Sequence, residues 1–364
     1  MICSSFGKCG SCVLWEIPYK KQLEIKKERL KEMFGGFDIP EIEVVYGSDE
    51  HFRARAEFRI WHEGDKSFYA MRKRKEEGRG VIPIEECKIV DKAIYEIMNP
   101  LLKEIEKNEN LRFKLYEIDF LSNSKGELIV TLIYHKKIDE GIAEDIKKLK
   151  DKFQDVDFIV RKKGRKLVFD KNYLIEELNI NGKTYKYKII ENTFSQPNRE
   201  MNQKMIEWAL KNSKHLRGDL VELYCGNGNF TIPLSENFNK VIATEINKES
   251  IEAATYNADI NDRNNITFLA MSAAEFSQLK KENSPLLASY DLKNVLIDPP
   301  RAGLDSKSRE FVNEFDNIIY ISCNPETLKR DLETLAKNRK IKAFAFFDQF
   351  PYTNHMECGV VLER

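Results

Sequence analysis

"VELYCGNGNFTIPL", residues 221–234, passes from an apolar run through two glycines into a segment of mixed polarity. Gly226 and Gly228 let the backbone turn tightly and let a ligand approach it with no Cβ in the way. The stretch reads as a strand, a ligand-binding loop and the start of a helix. The pattern continues on both sides. MNQKMIEWALKN (201–212) has helical spacing before it, and KVIATEI (240–246) and ESIEAATYNADIN (249–261) read as a strand and a helix after it. Further strand candidates are ITFLAM (266–271), KNVLID (293–298), NIIYIS (317–322), KAFAFF (342–347) and ECGVVLE (357–363). Strands alternating with helices predict an α/β, Rossmann-like doubly wound sheet whose ligands sit at the strand C-termini.

The loop narrows the ligand. Glu245 closes the next strand, about 20 residues on, where an acidic side chain meets ribose hydroxyls in dinucleotide folds. A nicotinamide site calls for a third glycine, and Thr231 stands there; no phosphate-binding G-x4-G-K-S/T occurs either. A glycine loop with an acidic partner and no phosphate signature suits S-adenosylmethionine. In LIDPPRAGLD (296–305), Asp298 ends a strand and two prolines stiffen the loop. Amine-directed methylases place a stacking aromatic after such a Pro-Pro, whereas Arg301 follows here.

IIYISCNPETL (318–328) places Cys323 at a strand end before an Asn-Pro turn. Alone, such a cysteine reads as a small apolar filler. Its surroundings give it a second reading. Carbon 5 of uracil becomes nucleophilic only once a thiolate has added at carbon 6, and a base must later remove the carbon-5 proton. Cys323, Glu357 at the start of the last strand, and Asp298 supply the required groups at one sheet edge. Alternation sends Cys358 to the opposite face, so Cys358, like Cys225, is expected in the core.

The N-terminal half has a different rhythm. Residues 17–33 predict an amphipathic helix with Leu23, Ile25, Leu30 and Met33 among charges. In HFRARAEFRIW (51–61), Phe52, Ala54, Ala56, Phe58 and Ile60 share one face, while Arg53, Arg55, Glu57, Arg59 and Trp61 share the other. Further strands are expected at 113–121, 127–135, 157–163 and 166–170, with a helix near 140–152. Three units follow: a cysteine-rich segment and helix over 1–40, an antiparallel-rich α+β domain over 41–180 with basic and aromatic outer strand faces, which the resemblance given below implies to be RNA-binding, and a catalytic domain over 181–364. The last boundary is expected near NINGK (179–183).

Lys and Arg number 59, as do Asp and Glu, so no global charge draws this 364-residue chain to nucleic acid. The charge is nevertheless uneven: residues 51–80 hold nine Lys or Arg against five Asp or Glu, and RKKGRK (161–166) is wholly basic. No apolar run approaches a membrane span and MICSSFGKCGSC lacks a signal-peptide core, so a cytoplasmic protein is expected. Of seven cysteines, Cys3, Cys9, Cys12 and Cys87 form a set apart; by count, four thiolates suit zinc or an iron–sulfur cluster equally.

AEFRIWH, KLYEIDFL, YHKK, ENTFSQPN, LYCGNGNF, ATEI, DPPRAGLD, ISCNPETL and DQFPYTNHMECGV together resemble the RNA 5-methyluridine methyltransferases, specifically the tRNA (uracil-5-)-methyltransferases. The resemblance runs from about residue 50 to the end. It implies methylation of the T-loop uridine of tRNA, and of the T-loop-like uridine of transfer-messenger RNA, with Cys323 as nucleophile and Glu357 as proton acceptor. Gln196, Tyr224, Asn229, Glu245 and Asp298 would hold S-adenosylmethionine. Tyr116, His135 and Arg301 would contact RNA, and the protein would act as a monomer on the T-arm. Cys3, Cys9, Cys12 and Cys87 resemble the 4Fe–4S ligands of the ribosomal RNA members, which makes a ribosomal uridine the competing target. Phe52, Trp61 and Tyr69 are expected as stacking surfaces on a basic RNA platform.

Overall fold

The computed structural model describes residues 3–138 and 141–364. The helix Tyr19–Met33 leads to β1 (Glu43–Val45). A seven-stranded sheet follows, built from β2 (Arg55–Glu63), β3 (Lys66–Arg72), β4 (Val81–Ile84), β5 (Leu115–Ser122), β6 (Leu128–Tyr134), β7 (Val156–Lys162) and β8 (Arg165–Val168), in the order β4-β3-β2-β5-β6-β7-β8. Its neighbours are antiparallel except β6 and β7, which are parallel because the helix Gly141–Lys152 crosses between them. Position 140 of the expected helix lies outside the described residues.

Alternation along β2 behaves as its sequence requires: Ala56, Phe58 and Ile60 are buried against the helices Lys92–Glu106 and Gly141–Lys152, while Glu57, Arg59 and Trp61 face out. The expected stacking surfaces need a correction. Tyr69 lies opposite Ile60 and is fully buried, its hydroxyl donating to Met98 O at 2.8 Å, and Phe52 is also buried. Tyr69 turns to the inner face of the sheet, where Phe58 and Phe120 pack against it; Phe52 precedes β2 and lines the cleft described below. Trp61, 52 % exposed, remains available.

β9 (Tyr173–Ile180) and β10 (Lys183–Ile190) form an antiparallel hairpin. The expected boundary stretch is its tip: Asn181 and Gly182 both have positive φ, 51° and 78°, as a two-residue primed turn demands. Leu178, Tyr185 and Tyr187 of the hairpin share a core with the helix Arg199–Ser213 and one face of the second sheet.

That sheet contains β11 (Asp219–Leu223), β12 (Val241–Glu245), β13 (Ile266–Ala270), β14 (Leu292–Ile297), β15 (Asn317–Ser322), β16 (Lys340–Phe347) and β17 (Glu357–Glu363), with β1 added at its edge. The order is β1-β16-β17-β15-β14-β11-β12-β13. Both faces are buried, with Leu220 and Leu296 on one and Val221, Val295 and Ile297 on the other, which explains the unbroken apolar runs. β11 to β15 are parallel, and the order reverses between β11 and β14. At such a switch point the connections diverge to opposite faces and leave a crevice beyond the strand ends. β17 runs antiparallel to β15 and β16, so its first residue lies at the edge where the parallel strands end.

Candidate active site

The glycine loop crosses this crevice. Tyr224, Gly226 and Gly228 have φ of 65°, 55° and 83°, and a Cβ on Gly228 would stand 3.1 Å from Ile232 Cδ1. A tyrosine in the left-handed region is held there by its surroundings; Cys225 N donates to Thr244 O at 3.0 Å and Gly228 N to Cys225 O at 2.9 Å. Glu245 is tied to the loop: its Oε2 accepts from Gly226 N at 3.3 Å and its Oε1 from Asn247 N at 2.9 Å. Asn229 exchanges two amide hydrogen bonds of 2.8 Å with Asn202, and its carbonyl accepts from Tyr187 OH at 3.0 Å. Gln196 Oε1 accepts from Gln349 Nε2 at 2.8 Å.

β15 delivers Cys323. Asn324 caps the helix Pro325–Leu335 by accepting from Glu326 N at 3.1 Å, and Pro325 occupies the first helical position. The Asn-Pro pair is thus a helix start. Register pairs Ser322 with Cys358, which places Cys323 and Glu357 side by side at the edge. Cys358 itself is in the core.

Gln196, Asn229, Glu245, Cys323 and Glu357 line one cleft of about 1320 Å³, together with Tyr224, Asp298 and Arg301. Asp298 is pushed above the usual carboxylate range by burial, and Glu357 by burial and then by the charge of Asp298. Glu222, fully enclosed beneath the loop, is pushed up to about 8, chiefly by burial. The Cys323 thiol is pushed up to about 11 by burial and then by Glu357 and Asp298, with Arg301 acting in the opposite direction. Among the cleft's carboxyl groups, Glu222, Asp298 and Glu357 fit a ligand that carries a sulfonium and an ammonium, and the tied Glu245 fits a ribose diol. The residues therefore suit S-adenosylmethionine.

Sequence reasoning missed three cleft residues: Glu222, inside an apolar run; Phe194, 74 % exposed; and His355, in HMEC. The signals were a carboxylate in a strand buried on both faces and the aromatic ring that opens FSQPN (194–198).

Tyr116 and His135 meet each other but do not line this cleft among the described residues. Their rings stack at 4.0 Å and 18°, with the Arg59 guanidinium 5.4 Å above Tyr116. Cys3, Cys9, Cys12 and Cys87 gather near one another. Cys12 is pushed up to about 12 by burial and then by Cys87, Cys9 and Cys3, and Cys87 likewise by burial, Cys9 and Cys3. Among the described residues no three His, Cys, Asp or Glu side chains close on a single metal position.

A family model described as tRNA (Uracil-5-)-methyltransferase matches residues 18–364. A Nautilia profundicola protein named tRNA/tmRNA (uracil-C(5))-methyltransferase is 85 % identical over 364 residues, the whole of both chains. A Vibrio parahaemolyticus protein of the same name is 43 % identical over 359 residues, 95 % of this chain and 97 % of that one. The crystal structure of Pyrococcus abyssi tRNA (uracil-54, C5)-methyltransferase with S-adenosyl-L-homocysteine superposes with a TM-score of 0.74 at 23 % identity, covering 97 % of this chain and 85 % of the other, a likeness of fold.

Proposed function

This chain belongs to the tRNA (uracil-5-)-methyltransferase family and is an S-adenosylmethionine-dependent enzyme acting on uracil carbon 5 in tRNA; we propose that its target is the T-loop uridine and that the reaction passes through a covalent adduct of Cys323. The observation that carries the mechanism is the meeting of Cys323 and Glu357 at one sheet edge inside the cleft. Arg301 favours the thiolate against burial and two neighbouring carboxyl groups. The thiolate adds to carbon 6, and the ring electrons move onto carbon 5 and the carbonyl oxygen on carbon 4. S-adenosylmethionine, when bound by Gln196, Tyr224, Asn229, Glu245 and Asp298, supplies an electrophilic methyl group. Glu357 then takes the carbon-5 proton, carbon 5 and carbon 6 regain their double bond, and Cys323 leaves as thiolate. A raised pKa makes Glu357 a stronger base than an ordinary carboxylate.

The target base must leave its stack to reach Cys323. The exposed Phe194 ring offers it a surface at the cleft, and Trp61, Arg59 and the Tyr116–His135 stack offer the T-arm an aromatic, basic platform. Transfer-messenger RNA with the same loop is a second substrate of this reading. A monomer suffices, since one chain supplies every group named. No helix among the described residues is long and apolar enough to cross a membrane; action on tRNA supports a cytoplasmic location.

Cys3, Cys9, Cys12 and Cys87 are assigned a 4Fe–4S cluster in preference to zinc. By count four thiols suit zinc equally, and the preference rests on the resemblance of this cysteine set to the cluster ligands of the ribosomal RNA members. Iron and acid-labile sulfide analysis of anaerobically purified protein decides this; zinc alone, or no metal, rules the cluster out.

The reaction is tested with labelled S-adenosylmethionine and unmodified tRNA or ribosomal RNA, mapping the methylated nucleoside. We expect label on carbon 5 of the T-loop uridine, falling by about 10⁴-fold or more in Cys323→Ala. A T-arm carrying 5-fluorouridine should remain bound to Cys323, because fluorine has no proton for Glu357 to remove. Transfer that survives Cys323→Ala overturns the mechanism, and label confined to ribosomal RNA overturns the target.

A further inference from the structure

His355 stands two positions before Glu357 and lines the cleft. Its Nδ1 lies 3.3 Å from a terminal nitrogen of Arg301. A guanidinium only donates, so Nδ1 is the acceptor and the ring proton sits on Nε2. The contact thereby selects a neutral imidazole in one tautomer. Burial first, and then the positive charges of Arg301, Lys26 and Arg53, hold its pKa below the ordinary value. Phe350 packs against the ring at 5.7 Å and 65°, and His355 N donates to Thr353 Oγ1 at 3.1 Å, so the imidazole is itself supported.

The other end of Arg301 is fastened to the loop of the nucleophile. Its carbonyl accepts from Asn324 Nδ2 at 3.1 Å and from Thr327 Oγ1 at 3.3 Å. Arg301 therefore spans from the residue after Cys323 to the approach to Glu357. Among the charged groups that act on Cys323, Glu357 and Asp298 oppose the thiolate, and Arg301 is the cation that favours it. An unrestrained arginine has considerable rotamer freedom and would also be drawn to RNA phosphates.

We propose that His355 is a positioning residue, a neutral acceptor that holds the Arg301 guanidinium beside Cys323 so that the thiolate is available when uracil arrives. The proposal rests on the reading of Cys323 as nucleophile. It assigns Arg301 a task before RNA binds, in addition to any contact with the target nucleotide. Protonated imidazole has no lone pair to offer, so acid releases the arginine.

Iodoacetamide alkylation of Cys323 in the RNA-free protein, followed by peptide mass spectrometry across pH, reads the thiolate directly and separates this thiol from the other six cysteines. His355→Phe keeps a ring against Phe350 and removes the acceptor, while His355→Gln restores an acceptor oxygen. We expect His355→Phe to move the alkylation midpoint up by about half to one pH unit, slowing the reaction about three- to tenfold on the rising limb. His355→Gln should recover most of that loss. Arg301→Gln should shift the midpoint at least as far, and adding His355→Phe to it should change nothing more. A wild-type profile in His355→Phe, or a full further shift on top of Arg301→Gln, overturns the proposal. The nucleophile reading fails separately, through methyl transfer by Cys323→Ala, a measurement on which the alkylation profiles do not depend.

Discussion

Asp119 on β5 lies opposite Glu57 on β2, and burial, then Glu117 and Glu57, push it up to about 7 against the pull of Arg55. A carboxyl whose folded pKa exceeds its unfolded value, about 3.9, binds its proton more tightly in the folded state. Its contribution to stability is complete below the unfolded value and is lost as pH rises to about 7. Asp119→Asn should therefore stabilise the protein at pH about 8 by on the order of 1–3 kcal/mol, with the gain fading towards pH about 4. Urea unfolding at both pH values checks this; an equal gain at both would refute it. Glu222, Asp298 and Glu357 shift the same way for the same leading reason. Asp298 and Glu357 were legible as candidates because each stands at a strand end on one sheet edge, and both line the cleft. Glu222 was not, because its burial is set by the layers on both faces of β11.

At the scale of elements, the catalytic sheet was readable almost strand by strand. A parallel strand covered on both faces must be apolar throughout, and each such run became a strand. β1 escaped notice because three residues carry no period; only β16, with which it pairs in parallel, defines it. The NINGK stretch was read as a boundary, yet Asn-Gly is also the signal of a primed hairpin turn, and that is what the chain makes there. Gly359 in β17 shows a constraint that no sequence period reveals. A Cβ there would stand 2.8 Å from Phe347 and from Trp208, so the glycine lets the helix Arg199–Ser213 lie flush on the sheet behind Glu357. The first helix was expected to bury Leu23, Ile25, Leu30 and Met33; it buries Gln22, Leu23, Lys26 and Leu30.

The two polar members of that buried face belong to the whole molecule. Lys26 Nζ lies 2.6 Å from Asp348 Oδ1, both side chains fully buried, and burial lowers the lysine pKa despite the attraction of Asp348. Gln22 Oε1 accepts from Tyr352 N at 2.9 Å, and Leu14 N donates to Tyr352 O at 2.9 Å. The first helix and the cysteine-bearing segment thus clasp the loop that leads to His355 and Glu357. Removing one member of a buried ion pair strands the other charge, so Lys26→Met or Asp348→Asn alone should cost about 3–5 kcal/mol. The double variant should recover most of the loss in equilibrium unfolding. Additive single effects would mean that the two charges are not coupled.

The sequence by itself determined the sheet, the glycine loop, the placement of Cys323 at a strand end and the basic outer face of β2, because turn chemistry and apolar period are written in neighbouring residues. Only the tertiary structure decided which rings turned inward, that Asp298 and Glu357 share a buried edge, that Arg301 is held between Asn324 and His355, and that Lys26 finds Asp348. Those outcomes depend on distance and burial between residues far apart in the chain. Charge interactions and desolvation follow that separation in space, which no local pattern encodes.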